Sequence, residues 1–174
     1  VILHLNLEGH YLGVHSDQHL LYCDWNKRDS LLVTRNLFMK DLYANYEGMK
    51  RFNISKAEAP YFLPPYEWYN DSISSWAAQV GCPLINFTPG TLSTSDYTWP
   101  SLPNYKSSKN IYQSVLDAEK KHLAGLNGYI LLFHIGTDPR RSDKFHPSLS
   151  SLLRELKSRG YRFKKINELL FIPK

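Results

Sequence analysis

Two histidines stand four residues apart in His15-Ser16-Asp17-Gln18-His19. In a helical turn, residues at i and i+4 share a face, with Cβ atoms about 5–6 Å apart. Two imidazole nitrogens so placed can reach one metal ion at about 2.0–2.1 Å. With 7 histidines in 174 residues, chance alone supplies roughly 0.3 such pairs per chain, so position has to add the weight. A third histidine, His134, directly follows the apolar run Tyr-Ile-Leu-Leu-Phe. A histidine at the end of a buried strand is a candidate acid or base. Asp96, Tyr66, Trp68 and Trp99 lie in polar or proline-rich stretches. There a carboxylate can also fold its own turn, and aromatic rings can also cap a core.

The elements that must position these groups alternate in type. Val1 to Glu8 reads as the last turns of a helix, closed by Gly9. Residues 10–15, 59–63, 84–88 and 129–133 read as short strands, and 161–166 as a terminal one. Helices are expected from Thr34 to about Phe52, from Asp71 or Ser72 to Gly81, over 111–123 and over 147–159. The apolar face of the first of these is Leu37, Phe38, Leu42, Tyr46 and Met49. Strands separated by helices of about a dozen residues imply right-handed crossovers and a parallel sheet. In such folds the site lies at the C-terminal ends of strands. His15, the turn Pro64-Pro65-Tyr66, the loop after Thr88 and His134 all fall just past expected strand ends, so four strand ends are expected on one rim. The loop Pro89 to Ser108 is long enough to expect a functional role.

These motifs resemble the polysaccharide deacetylase (NodB-homology) family, carbohydrate esterase family 4. His15-Ser16-Asp17-Gln18-His19 matches that family's histidine motif in full, Leu63-Pro64-Pro65-Tyr66 meets its Arg-x-Pro-Tyr motif in part, and Leu132-Phe133-His134 matches its Leu-x-His ending. The motifs fall in the family's order over nearly the whole chain, which reads as a single domain. The resemblance implies a distorted (β/α) barrel with mostly parallel strands. It also implies a metal-dependent hydrolase that removes N- or O-acetyl groups from a polysaccharide or oligosaccharide. A divalent metal, commonly zinc, would be held by His15 and His19, and would polarise the acetyl carbonyl and activate water. The backbone N–H of Tyr66 would face the oxyanion. His134 would be the general acid, oriented by Asp96, since an adjacent carboxylate favours the imidazolium. Leu132 and Trp99 would wall the acetyl pocket, with Pro65 and Trp68 beside the substrate. An extracytoplasmic location, periplasmic or secreted, follows by the same resemblance.

Three departures stand out. The family's Asp-Asp motif, source of the general base and third metal ligand, is not in the chain and is expected before Val1, where the chain begins inside an apolar segment. A two-histidine site is incomplete, because catalytic zinc usually has three protein ligands; Asp17 and Asp24 are near in sequence but lack a matching spacing. Leu63 stands where the family has the arginine that orients the base. Trp99 does not directly follow Asp96. A barrel lacking its first strand exposes an edge, so a missing N-terminal segment or a second chain is expected to complete the sheet. The same losses keep open a second reading, a carbohydrate-binding pseudoenzyme with the same fold and no turnover.

Composition sets the outer bounds. Hydrophobic residues at 43% and charged residues at 21% are the balance of an ordinary globular domain. The net charge of +5 is spread over doublets such as Lys27-Arg28, Lys120-Lys121 and Arg140-Arg141. Doublets in different elements read as solvated surface, so nucleic acid is not an expected partner. No run approaches the roughly 18–20 apolar residues of a membrane span. Cys23 and Cys82 are too few for a disulfide framework, and whether they pair is open from sequence.

Overall fold

The protein is described from a computed structural model covering residues 1–170, in which two compact units are resolved. The first comprises Val1–Asn86 with the described residues from Lys164 onward; the second is Phe87–Phe163.

In the first unit, helix α1 (Ile2–Leu7) ends before Gly9, whose φ of 77° continues the chain in a conformation that costs glycine little. Thr34 has extended backbone, and its side chain accepts from Leu37 N–H at 3.2 Å, opening α2 (Arg35–Lys50). The buried stripe of α2 is Phe38, Asp41, Leu42 and Tyr46. Leu37, expected on that stripe, is 43% exposed. A carboxylate, Asp41, lies inside instead. Asn70, itself buried, caps α3 (Asp71–Gln79) by accepting from Ile73 N–H at 3.1 Å.

The expected strands are present only as traces. Val14 pairs with Phe62, and Phe62 with Leu84, each as an isolated parallel bridge. Phe62 N–H donates to Pro83 O, Leu63 N–H to Val14 O, and Ile85 N–H to Phe62 O, at 2.9–3.1 Å. The order and direction match the parallel reading. Continuous strands of a barrel do not form among the described residues. The reason is visible in the donors: His15 N–H goes to Asn45 Oδ1 at 3.0 Å and Tyr61 N–H to Tyr11 Oη at 3.0 Å. Side chains take the bonds that a ladder would need.

The second unit holds α4 (Ser108–Lys121) and α5 (His146–Ser158) around a core of Ile111, Val115, Phe145, Leu152 and Leu156. Phe133 stacks on Phe145 with centroids 4.5 Å apart, tying the 129–133 segment to this core. Thr88 N–H donates to Ile130 O at 2.9 Å, but Ile130 N–H turns to Thr88 Oγ1 at 3.0 Å, again a side chain in place of a ladder. The expected strand over 161–166 is corrected. Residues 162–165 are exposed, so the segment has no apolar face to bury, and a short helix α6 (Ile166–Leu169), which belongs to the first unit, follows. Cys23 and Cys82 are buried and unbridged.

Phe62 is fully buried, with ring neighbours Tyr22 at 6.2 Å and Phe38 at 5.9 Å. Phe62→Ala is expected to cost about 3–5 kcal/mol of stability, read as a lowered midpoint in urea denaturation. A change under about 1 kcal/mol would show that the central segment does not depend on this ring.

Candidate functional site

The segment 15–19 is not the helical turn that the i, i+4 spacing predicts. Ser16 and His19 have φ of 91° and 51°, left-handed values that a non-glycine residue holds only where its surroundings impose them. What imposes them is Asp41. Its carboxylate accepts from Ser16 Oγ at 2.6 Å, Gln18 N–H at 2.8 Å and Tyr22 Oη at 2.6 Å. Ser16 Oγ in turn accepts from His19 N–H at 2.8 Å. The rings of His15 and His19 therefore meet through a pinned loop, with centroids 5.1 Å apart. Burial and the bond to Asp41 push the Tyr22 phenol far up, so it stays a neutral donor.

His15 Nδ1 lies 2.9 Å from Leu63 O. A carbonyl can only accept, so Nδ1 carries a proton and Nε2 is the nitrogen left for other partners, the arrangement found behind metal-bound imidazoles. His19 is held below the ordinary histidine value of 6.5, first because its ring loses water against its neighbours and second because His15 repels its charged form. The residue as a whole is exposed; the water is lost on the side facing His15 and Tyr66. Two imidazoles so placed fit a divalent metal as two ligands. No group of three or more His, Cys, Asp or Glu side chains arranged around a metal exists among the described residues.

The turn after the central segment brings Tyr66 to these rings, 4.6 Å from His19 between centroids. Pro65 is buried and opens a single 3₁₀ turn, Pro65–Glu67, in which Tyr66 and Glu67 have φ of 59° and 53°. Such strain at two successive non-glycine residues is a mark of functional turns. The turn's backbone bonds run from Glu67 N–H to Pro64 O and from Trp68 N–H to Pro65 O. The Tyr66 N–H has no backbone acceptor among the described residues. Trp68 is half-buried and donates from Nε1 to Asp24 O at 3.2 Å.

The second unit carries the other pair. Asp96 is fully buried on a 3₁₀ segment, Ser93–Tyr97, and one carboxylate oxygen accepts from His134 N–H at 2.6 Å. The other lies 2.6 Å from His134 Nδ1. One side chain thus fixes both the backbone and the ring of His134, and aims Nε2 away from itself. Tyr97 stands edge-on to that ring at 5.9 Å. Leu132 is half-buried two residues before. Trp99 is half-buried beneath the guanidinium of Arg140 at 3.8 Å.

The Arg140-Arg141 doublet, read as solvated surface, is corrected. Arg140 is exposed and paired with Asp138 at 2.8 Å, whereas Arg141 is fully buried. Arg141 donates to Thr98 O at 2.6 Å, Ser108 Oγ at 3.0 Å and Lys106 O at 3.2 Å. It clamps the loop that presents Asp96. Sequence reasoning passed over Arg141 and Asp41. For Asp41 a signal existed, a carboxylate within the 38-41-42-46 pattern of a buried stripe; for Arg141 there was none.

No protein-family model matches the chain. A curated relative, the peptidoglycan-N-acetylglucosamine deacetylase of Bacillus cereus, is 28% identical over 163 residues, covering 94% of this chain and 64% of the relative. A solved carbohydrate esterase family 4 pseudoenzyme from Bacillus anthracis superposes with a TM-score of 0.67 at 18% identity, over 97% of this chain and 49% of that one. A solved peptidoglycan N-acetylglucosamine deacetylase, bound to an aryl hydroxamate, gives a TM-score of 0.70 at 17% identity, over 97% and 66%. The chain spans about half to two thirds of the length of these proteins. The fold is shared with them, with its strands reduced to bridges.

Two measurements probe the pinned loop. Asp41→Asn keeps the shape but puts an NH2 where one carboxylate oxygen accepts, setting it against at least one of the three donors, and is expected to cost about 2 kcal/mol, checked by chemical denaturation. His19 is expected to titrate below 6.5 by NMR, with His15→Ala moving it part of the way up. An unfolded histidine takes up its proton at a higher pH than folded His19. The stability from neutral His19 is therefore complete above pH 6.5 and is lost as pH falls toward its lower folded value.

Proposed function

We propose that the chain is a divergent NodB-homology domain of carbohydrate esterase family 4 and that it removes acetyl groups from a glycan with a divalent metal, zinc by preference. The observation that carries this reading is the pair of rings at His15 and His19, 5.1 Å apart between centroids, one with its Nδ1 tied to a carbonyl. His15 and His19 hold the metal, and the remaining protein ligand is assigned to no residue here. When bound, the metal supplies carbonyl polarisation and a water nucleophilic at neutral pH.

The chain's own residues do the rest. The strained turn sets the Tyr66 N–H as a donor for the oxygen that becomes negative as the acetyl carbon turns tetrahedral. His134 holds the proton that the departing nitrogen or oxygen takes, and Asp96 keeps its ring in one orientation while charge develops on it. The family resemblance assigns Leu132 and Trp99, of the second unit, to the acetyl pocket, and Pro65 and Trp68, of the first, to the substrate side of the turn. The peptidoglycan deacetylases among the relatives point to a cell-wall type of glycan, and with it an extracytoplasmic location. The second reading, a glycan-binding domain without turnover, is supported by Leu63 in the place of the family's arginine and by the pseudoenzyme among the structural neighbours.

Zinc binding measured by competition with a chromogenic chelator is expected to weaken at least tenfold in His15→Ala and in His19→Ala, since each removes one imidazole. Acetate release from an N-acetylglucosamine oligomer is expected to fall about 10²–10⁴-fold in His134→Ala, with zinc binding unchanged. Zinc affinity indifferent to both imidazoles overturns the metal assignment. Glycan binding with no acetate release by the zinc-loaded wild type selects the second reading.

A further inference from the structure

A row of rings leads away from His19 within the first unit. Tyr66 follows His19, Trp25 lies 5.5 Å from Tyr66, and Trp68 lies 5.6 Å from Trp25 at an interplanar angle of 32°. Each step is comparable to the width of one pyranose ring. Trp25 is 52% exposed and Tyr66 45%, large apolar faces left open to solvent beside polar groups. A pyranose offers a matching face of C–H groups, with hydroxyls around its edge.

The row ends on Arg28. Its guanidinium lies 4.3 Å over the Trp68 ring, and its Nε donates to Tyr69 O at 2.6 Å. Asn70 Nδ2 donates to Arg28 O at 3.0 Å, so backbone and side chain are both fixed. The rotamer entropy that a free arginine loses on binding is therefore already spent in the fold. Among the described residues no carboxylate lies within ion-pair distance of Arg28. The two terminal nitrogens remain as a planar fork, the geometry that binds a carboxylate through two parallel hydrogen bonds.

We propose that Trp25, Trp68 and Arg28 form a subsite for a carboxylate-bearing sugar in the glycan chain, stacking its ring on the exposed Trp25 indole and holding its carboxylate at the guanidinium that Trp68 supports from beneath. The subsite rests on the reading of the protein as glycan-directed, but it concerns recognition and not turnover. A uronic acid and a lactyl-substituted amino sugar both present such a carboxylate. Their separate binding distinguishes the two sources.

The test is calorimetric titration of the full chain with three probes. These are an N-acetylglucosamine tetramer, a tetrasaccharide alternating N-acetylglucosamine with glucuronate, and the disaccharide of N-acetylglucosamine and N-acetylmuramic acid. At least one acidic probe is expected to bind more tightly than the neutral tetramer, and the preference to shrink at high salt. Arg28→Gln is expected to weaken that acidic probe about tenfold while changing the neutral tetramer less than about twofold. Arg28→Lys, which keeps charge but loses the fork and the stacking, is expected to recover only part of the loss. Trp25→Ala, at an exposed position that folding tolerates, is expected to weaken all probes that bind. Equal affinity for neutral and acidic probes in the wild type, equal loss of both in Arg28→Gln, or no binding of any probe overturns the subsite. Acetate release measured in parallel separates the two ideas: selective acidic binding without release sinks the activity and leaves the subsite standing.

Discussion

Asp41 is a carboxylate placed where the helical pattern calls for an apolar side chain, and the ligand loop depends on the hydrogen bonds that compensate its burial. A charge buried at 3% exposure is tolerated only when its lone pairs are filled. Three donors fill them: the hydroxyls of Ser16 and Tyr22 and the backbone of Gln18. Each of those donors is thereby fixed in return. The left-handed residues at Ser16 and His19 are held by this network, and the meeting of the two imidazoles follows from it. Because the network is buried and fully satisfied, it specifies one loop conformation and resists alternatives.

The second unit solves a similar problem with a similar device. Asp96 is fully buried and its two oxygens are taken by the backbone and the ring of His134. The loop around it is in turn held by Arg141, a buried cation bonded to the backbone carbonyls of Thr98 and Lys106. In both units a buried carboxylate organises a histidine, Asp41 holding His19 through Ser16 and Asp96 holding His134 directly, while His15 has its Nδ1 tied separately to Leu63 O. These anchors explain why the site is built on loops and single bridges without losing definition. Side-chain hydrogen bonds supply the rigidity that a continuous ladder would otherwise give.

The helices were legible because their signals are local. Thr34 and the glycines at positions 9, 81 and 160 mark ends through backbone chemistry that acts within a few residues, whereas Ser107, the cap of α4, lay inside the stretch read as a loop. The strand positions were legible as apolar runs, but not how far each would pair. Pairing length depends on whether a neighbour's side chain intercepts the next N–H, as Asn45, Tyr11 and Thr88 do, and such partners lie up to 50 residues away. The terminal strand over 161–166 failed for a simpler reason, since only Phe163 and the ends of the segment carry apolar surface, and Phe163 is 47% exposed.

The sequence by itself determined the inventory of chemistry: two histidines four apart, a proline-backed tyrosine, and a histidine closing an apolar run, in an order that resembles one deacetylase family. It also determined that a full set of metal ligands could not be named from these residues. Only the tertiary structure decided how the first two histidines meet, through a pinned loop in place of a helical turn. It alone separated Arg141 from Arg140, and it alone joined Trp25, Trp68 and Arg28 into a row. The physical reason is range. Spacing encodes what neighbours along one element share, whereas burial of a charge and stacking of a guanidinium are settled by side chains that the chain brings from tens of residues away.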